Sequence, residues 1–235
     1  AITRTNQITK IFIWMFIYLL LLINRNIIII INMSESKIIP IFPINITMNN
    51  IGRDFTEDEL TCFSKHKKSV TKAISNSFTT NNNILDELEL KNIKKFILKN
   101  FNFYLRKVIS PISKDNELYL TESWITKTNK NEHHHTHSHA NSVISGVLYL
   151  KTINKDSITL YSPHRPRIDI SRDNQTKDYN NLEVLVRKGD LILFPSTLMH
   201  SVKTNVTEDE RVSLAFNSFI KGTISTMLLN QLTLK

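Results

Sequence analysis

The second half of the chain is dominated by short β-rich runs that follow one another without a helical segment between them. Most of their residues are apolar, β-branched or aromatic, as expected of strands. The runs are Glu117 to Lys127, Ser142 to Thr152, Ile158 to Tyr161, Leu182 to Val186, Leu191 to Phe194 and Arg211 to Phe219. Strands at this density, without intervening helices, predict an antiparallel sandwich or jelly roll.

The segment before these runs carries two helix signals. Thr56 and Glu59 have the spacing of a capping box, which predicts a helix that starts at Thr56 and continues to the region of Ser75. Apolar residues then recur at steps of three or four from Leu90 to Tyr104, and this stripe predicts a second amphipathic helix that ends before Pro111. We therefore expect a mostly β fold with N-terminal helices at about 56–109 and a β core at about 117–220.

Composition suits an ordinary globular domain, with 41% hydrophobic and 22% charged residues in a chain of 235. Cys62 is the only cysteine, which excludes a disulfide framework and a zinc module built on cysteines, and it favours a reducing, cytoplasmic location. The formal net charge is +9, but the basic residues are scattered and form no stripe interleaved with aromatic residues. Specific nucleic-acid binding is therefore not expected.

The first 32 residues differ in texture from the rest. Residues 11–23 are an unbroken apolar run, and Ile27 to Ile31 form another after Arg25. Thirteen residues are short of the roughly 20 that span a bilayer. A membrane anchor and a cleaved signal are alternatives, but the bias towards Ile, Asn, Lys, Phe and Leu resembles translated AT-rich DNA. We expect residues 1–32 to be a non-native leader and Met33 to open the domain of 33–235. Near the beginning of this domain, the segment from Ile38 to Ile44 alternates apolar residues with two prolines, which permits an edge strand but not a central one.

A histidine tract interrupts the β-rich region. Five of the eight histidines stand at positions 133, 134, 135, 137 and 139. In an extended segment, alternate residues share a face, so His134 is expected to point away from the other four. Residues two apart are about 6.6 Å apart and can share a metal ion, whereas residues four apart, at about 13 Å, cannot. The pairs 133/135, 135/137 and 137/139 all remain open, beside a solvated tract with adventitious metal affinity.

Two further signals lie some sixty residues downstream. Gly189 to Pro195 read as a turn into an apolar strand, and His200 follows at the start of another strand. Arg211 and Ser213 then share one face of a later strand because they are two residues apart. Each residue alone has an ordinary structural interpretation, but a histidine pair, a distal histidine and an Arg-x-Ser in this order form a recognisable constellation.

Several strings of the sequence together resemble a known family. They are Ser123-Trp124-Ile125, His137-Ser138-His139, Ser142 to Leu150, Gly189 to Ser196, His200-Ser201-Val202 and Glu210 to Asn217. This set, over residues 33–220, is similar to the 2-oxoglutarate and Fe(II)-dependent oxygenases common in marine bacteria and their phages. The resemblance implies a double-stranded β-helix core, a cupin-like jelly roll, in which two first-motif residues and the distal histidine hold iron. It also implies that the arginine binds the far carboxylate of 2-oxoglutarate.

Carried over residue by residue, the resemblance assigns the metal to His137, His139 and His200, and the cosubstrate to Arg211 and Ser213. Tyr149 is a weaker cosubstrate candidate, since it also suits ordinary sheet packing. The chain departs from the usual set of two histidines and one carboxylate, because the middle position is a histidine. Three neutral imidazoles would leave Fe(II), dianionic 2-oxoglutarate and the arginine with a net charge of +1. Either the site tolerates this, or a carboxylate such as Glu132 or Asp169 approaches.

The function expected from these residues is a dioxygenase that hydroxylates an unidentified substrate and releases succinate and carbon dioxide. Its cosubstrates would be 2-oxoglutarate and O2. A cupin-type metalloprotein is an alternative, although the first cupin motif requires a glutamate where Ser142 or Val143 stands. A membrane-tethered, histidine-rich metal-binding protein would account for residues 11–31 and 133–139 but leaves His200 and Arg211 unexplained.

Overall fold

Strands dominate the part of the chain that the computed structural model describes, namely residues 43–66, 68–71, 76–163, 180–224 and 232–235. The strands are β1 (Thr47–Asn50), β2 (Lys68–Thr71), β3 (Asn76–Thr79), β4 (Glu117–Thr128), β5 (His134–His137), β6 (Ile144–Lys151), β7 (Ser157–Tyr161), β8 (Asn181–Leu185), β9 (Asp190–Pro195), β10 (His200–Val202), β11 (Arg211–Ile224) and β12 (Leu232–Leu234). Each of the six predicted β-rich runs overlaps a strand, and the mostly β fold class is confirmed.

The strands form two antiparallel sheets. Among the described residues, the larger sheet has eight strands in the order β1-β9-β6-β11-β4-β3-β2, with β12 added to β11. The smaller sheet has four strands in the order β5-β10-β7-β8. Strands that are distant in sequence therefore become neighbours, as in a jelly roll.

Strand β9 shows how the larger sheet separates two apolar layers. Leu191 and Leu193 belong to the core on one face, where the helices pack. Ile192 and Phe194 belong to a second core on the opposite face, together with Ile158 of the smaller sheet. Because successive side chains alternate between faces, a continuous apolar run can serve both cores.

The first helix, α1, spans Glu57–Lys65 and begins as predicted. The Thr56 side chain accepts a hydrogen bond from the Glu59 backbone, and the Glu59 carboxylate accepts one from the Thr56 backbone. Arg53 also pairs with both oxygens of buried Glu59, at 2.8 and 2.6 Å. The predicted continuation to Ser75 is wrong, because His66 has an extended backbone and the chain then forms the hairpin β2–β3. Pairing of β3 with β4 outweighs local helix propensity there.

The second helix, α2, spans Lys91–Tyr104 and confirms the predicted stripe. Ile93, Ile97 and Phe101 are buried against the larger sheet, and the Phe101 ring meets Phe216 of β11 edge-on, with 5.6 Å between centroids. A π-helical turn at Leu105–Ile109 and a left-handed residue at Ser110 end the helix immediately before Pro111.

The N-terminal predictions fall almost wholly outside the described residues. Residues 1–32 and most of the 38–44 segment lie outside the described ranges. The edge strand that the structure does show is β1, which follows that segment and pairs with β9. None of the helices in the described ranges is long and apolar enough to cross a membrane.

Candidate metal and cosubstrate site

Three of the predicted histidines, which lie on or next to β5 and β10 of the smaller sheet, line one pocket. His137 in β5 lies directly opposite His200 in β10, and His139 follows β5 by two residues. One ligand atom from each ring lies within 4.8 Å of the others, and the Nε2 atoms of His139 and His200 are 3.3 Å apart. The register of β5 and β10 therefore brings together residues that are more than sixty positions apart in sequence.

The hydrogen bonds of these rings suit metal binding. His137 Nδ1 lies 2.8 Å from the carbonyl oxygen of His135, and His200 Nδ1 lies 3.0 Å from that of Leu198. A carbonyl can only accept, so Nδ1 of each ring carries the proton and donates. The other nitrogen, Nε2, then keeps its lone pair for a metal ion, as in metal sites where a backbone carbonyl orients the ligand.

Burial keeps these rings neutral. Desolvation lowers the pKa of His137, lowers that of His139 to about 4 and lowers that of His200 to about 3, with neighbouring imidazoles adding to the effect. A metal ion requires deprotonated imidazole, so no proton has to be displaced near neutral pH. Three neutral nitrogen donors fit Fe(II), for which imidazole is a suitable ligand.

The expected orientation of His134 is wrong. Its ring stacks on His137 with 4.2 Å between centroids and lines the same pocket. The cause is an irregular register: His137 pairs with His200, but His134 pairs with Val202, so three steps on β5 match two on β10. This extra residue is a β-bulge, which reverses the parity of the side chains beyond it.

A short buried polar network supports the loop that carries His139. The His139 backbone donates to the Ser196 carbonyl at 2.9 Å. Ser196 Oγ lies 2.8 Å from Ser145 Oγ, which donates in turn to Asn217 Oδ1 at 2.8 Å. These groups satisfy one another in the interior and anchor the ligand loop to β6 and β11.

Arg211, Ser213 and Tyr149 line the same pocket as the three histidines. Ser213 on β11 pairs with Tyr149 on β6. Arg211 and Ser213 pair with Thr128 and Thr126 of β4 without a register shift, so they share one face, as predicted. Arg211 is only 3% exposed, and its Cζ atom lies 5.2 Å from the centre of the Tyr149 ring. The structure thus assembles every residue that the sequence assigned to metal and cosubstrate.

Several donors in this pocket lack a partner. The Tyr149 hydroxyl and the Asn76 side-chain nitrogen are buried without a hydrogen bond to any described residue. Burial raises the pKa of Tyr149 to about 12, so the phenol stays protonated and can donate. Buried donors normally have acceptors, and unpaired donors beside a buried guanidinium fit a carboxylate-bearing ligand. Asn76 was not predicted, because only the pairing of β3 with β4 brings it to the pocket.

Asp156 was also missed by the sequence analysis. Its Oδ2 atom lies 3.2 Å from Arg211 Nε in an ionic contact without hydrogen-bond alignment, and its Oδ1 accepts from the Ser157 backbone at 2.9 Å. Both side chains of the pair are less than 5% exposed. Burial raises the pKa of Asp156, and the positive charge of Arg211 opposes that rise. An aspartate before a short strand resembles any turn residue, so nothing in the sequence marked it.

Of the two carboxylates considered as extra metal ligands, only Glu132 lies in the part of the chain that the structure describes, and it does not join the histidine cluster. Glu132 Oε2 accepts from the backbone of Asn129 at 2.6 Å and from its side chain at 3.2 Å, so it closes a local turn. Asp169 lies outside the described residues.

Asp156→Ala is expected to lower the free energy of unfolding by about 3–5 kcal/mol, because it leaves the buried Arg211 guanidinium without its counter-charge. The double variant Asp156→Leu/Arg211→Met removes both charges and should recover most of that loss. Denaturant unfolding of the single and double variants measures the difference. Equal stability of Asp156→Ala and the wild type would show that the pair contributes nothing.

Part of the chain is similar in sequence to a known family. Residues 122–217 match the family described as "Putative 2OG-Fe(II) oxygenase", a stretch that runs from β4 to β11. No curated protein matches the chain in sequence.

Solved structures share the fold at low sequence identity. One is an oxidoreductase of the 2OG-Fe(II) oxygenase family from Burkholderia pseudomallei, with a TM-score of 0.51, 13% identity, and coverage of 74% of this chain and 84% of that one. Another is HygX from Streptomyces hygroscopicus with nickel, 2-oxoglutarate and hygromycin B bound, with a TM-score of 0.52, 13% identity, and coverage of 74% and 82%. These similarities support the double-stranded β-helix architecture.

Proposed function

We propose that this chain is an Fe(II)- and 2-oxoglutarate-dependent enzyme, which hydroxylates a substrate carbon while oxidising 2-oxoglutarate to succinate and carbon dioxide. The match of residues 122–217 to the 2OG-Fe(II) oxygenase family supports this proposal. One observation carries the proposal most directly. A buried arginine and unpaired hydrogen-bond donors share a pocket with three convergent, neutral histidines.

His137, His139 and His200 would hold the iron through the ring nitrogens that face one another. Iron bound there supplies the activation of O2 on which oxidation of 2-oxoglutarate and substrate depends. The protein keeps the three imidazoles neutral by burial and orients two of them through backbone carbonyls. Apolar side chains of Val147, Ile158 and Phe194 line the same pocket and limit the access of water.

Arg211 would bind the far carboxylate of 2-oxoglutarate. A guanidinium pairs with a carboxylate through two parallel N–H bonds and cannot lose its charge. Asp156 contacts the Nε edge, so the two terminal nitrogens are the edge that a ligand would use. The Ser213 and Tyr149 hydroxyls and the Asn76 amide are further donors for the same ligand.

Asp156 also supplies the charge that the three-histidine set lacks. With three neutral imidazoles, Fe(II), dianionic 2-oxoglutarate and Arg211 together carry +1, and the ionised Asp156 brings the total to zero. In the usual set of two histidines and a carboxylate, that negative charge is a metal ligand. We propose that in this enzyme it lies beside the cosubstrate-binding arginine instead.

Succinate release tests the proposed function. The full chain, supplied with Fe(II), 2-oxoglutarate and O2, is expected to form succinate in step with a hydroxylated product for one member of a panel of peptides, nucleobases and small metabolites. His200→Ala should abolish the release. His135→Ala should keep it, because the exposed His135 ring lies outside the three-histidine cluster and the backbone carbonyl that orients His137 is retained. Metal binding without any binding or consumption of 2-oxoglutarate would favour a cupin-type metalloprotein.

A further inference from the structure

A second group of metal-binding side chains lies outside the oxygenase pocket, where helix α1 ends. Cys62 and His66 are one helical turn apart, and Glu87 follows the 3₁₀ turn at Ile84–Asp86. Cys62 Sγ lies 4.0 Å from His66 Nε2, which lies 3.6 Å from Glu87 Oε1, and the three donor atoms are all within 4.8 Å of one another. Thiolate, imidazole and carboxylate are the three side-chain ligands that zinc uses.

The separations are close to those of a loaded site. With zinc distances of about 2.3 Å to sulfur and about 2.0 Å to nitrogen or oxygen, tetrahedral angles place S and N about 3.5 Å apart and N and O about 3.3 Å apart. The observed S–N and N–O distances exceed these values by about half an ångström or less. The third separation, from Cys62 Sγ to Glu87, is within 4.8 Å. We propose that Cys62, His66 and Glu87 form a second metal site, which binds Zn(II) through three protein ligands and one water molecule.

Charge favours a cation at this position. One thiolate and one carboxylate neutralise a divalent ion, whereas without metal the thiol has little support for its ionised form. Cys62 is 1% exposed, and burial raises the pKa of its thiol although Lys65 opposes the rise. Zinc removes this penalty because it holds a coordinated thiol in its deprotonated form.

The surrounding polar groups still allow Glu87 Oε1 to bind a metal ion, because a carboxylate oxygen can accept more than one contact. Lys65 Nζ contacts the other carboxylate oxygen, Oε2, at 3.3 Å, and its charge is shared with Glu89 at 3.1 Å. The Asn81 side chain donates to Glu87 Oε1 at 3.4 Å, which helps to orient that oxygen towards His66. A metal ion here would fasten the end of α1 to the turn that precedes α2.

This site differs in chemistry from the three-histidine cluster. The single cysteine excludes a module built on several cysteines but not one thiolate joined by a histidine and a carboxylate. A soft thiolate favours zinc, whereas three imidazoles also suit iron. We therefore expect Zn(II) at the site of Cys62, His66 and Glu87, and Fe(II) at the three-histidine cluster.

Cobalt(II) tests the proposal, because a cobalt thiolate bond gives intense sulfur-to-metal charge-transfer absorption in the near ultraviolet and cobalt bound to imidazoles alone does not. Cys62 is the only cysteine, so the band reports this site alone. Titration of the reduced full chain should produce the band and saturate it within two equivalents of added cobalt, because the three-histidine cluster also takes one. His137→Ala/His200→Ala should retain it, and Cys62→Ser should lose it.

Partly exposed ligands keep the test decisive if Cys62→Ser fails to fold. His66→Gln and Glu87→Gln should each weaken cobalt binding at this site by at least tenfold, measured by the same band. Ser64→Ala, on the same helix but bonded to the Thr61 carbonyl, should bind like the wild type. A wild type without the band at saturating cobalt, or wild-type affinity in both His66→Gln and Glu87→Gln, would overturn the proposal.

Discussion

His139→Ala is expected to abolish stoichiometric Fe(II) binding, with a loss of affinity of more than about 100-fold. Even the loss of a group that only orients a metal ligand typically costs 10–100-fold, and this variant removes a ligand whose Nε2 lies 3.3 Å from that of His200. The His137 and His200 rings would remain, but two imidazoles without a carboxylate bind iron weakly. Anaerobic Fe(II) titration of the full chain, followed by equilibrium dialysis, measures the loss.

Neighbouring histidines provide matched controls. His133→Ala and His135→Ala should stay within a few-fold of the wild type, because neither ring belongs to the convergent cluster in the described residues. His134→Ala should fall between these controls and His139→Ala, since its ring stacks on His137 without joining the cluster. Equal losses from all of these variants would indicate a solvated histidine tract and contradict a defined site.

The histidine tract also shows what the sequence can and cannot predict. Alternation along a strand correctly placed Arg211 and Ser213 on one face, because β11 pairs with β4 residue by residue from Arg211 to Ser213. The same rule misplaced His134, because a bulge in β5 adds one residue. Such bulges depend on the partner strand, so local sequence does not reveal them.

Contacts between distant segments account for the other missed residues. The strands, the capping box and the stripe of α2 follow from local patterns, and family resemblance selected His137 and His139 from three possible pairs. Asp156 and Asn76 reach the pocket only through the order of strands in the two sheets. A single sequence contains no signal for such pairings, and each of these residues alone resembles an ordinary turn or strand residue.

Arg211 variants are expected to lose 2-oxoglutarate while keeping iron. Removing a bidentate partner from a carboxylate in a partly dry pocket costs about 2–5 kcal/mol, which is roughly 30-fold or more in affinity. Arg211→Ala alone would also leave Asp156 as an unpaired buried charge, so its loss of cosubstrate could be confused with unfolding. The double variant Arg211→Met/Asp156→Leu removes both charges and separates the two effects.

We expect this double variant to retain wild-type affinity for Fe(II) and to bind 2-oxoglutarate at least 30-fold more weakly. Arg211→Lys should lose less, since it keeps the charge but not the planar fork. Asp156→Asn should bind 2-oxoglutarate at least as tightly as the wild type, because Arg211 stays and the carboxylate that opposes an anionic ligand is gone. Anaerobic titration of 2-oxoglutarate into the iron-loaded proteins, followed by the metal-to-ligand absorption, compares these three variants with the wild type. If the double variant bound 2-oxoglutarate like the wild type, Arg211 would not be the cosubstrate anchor, and the buried pair with Asp156 would be structural alone.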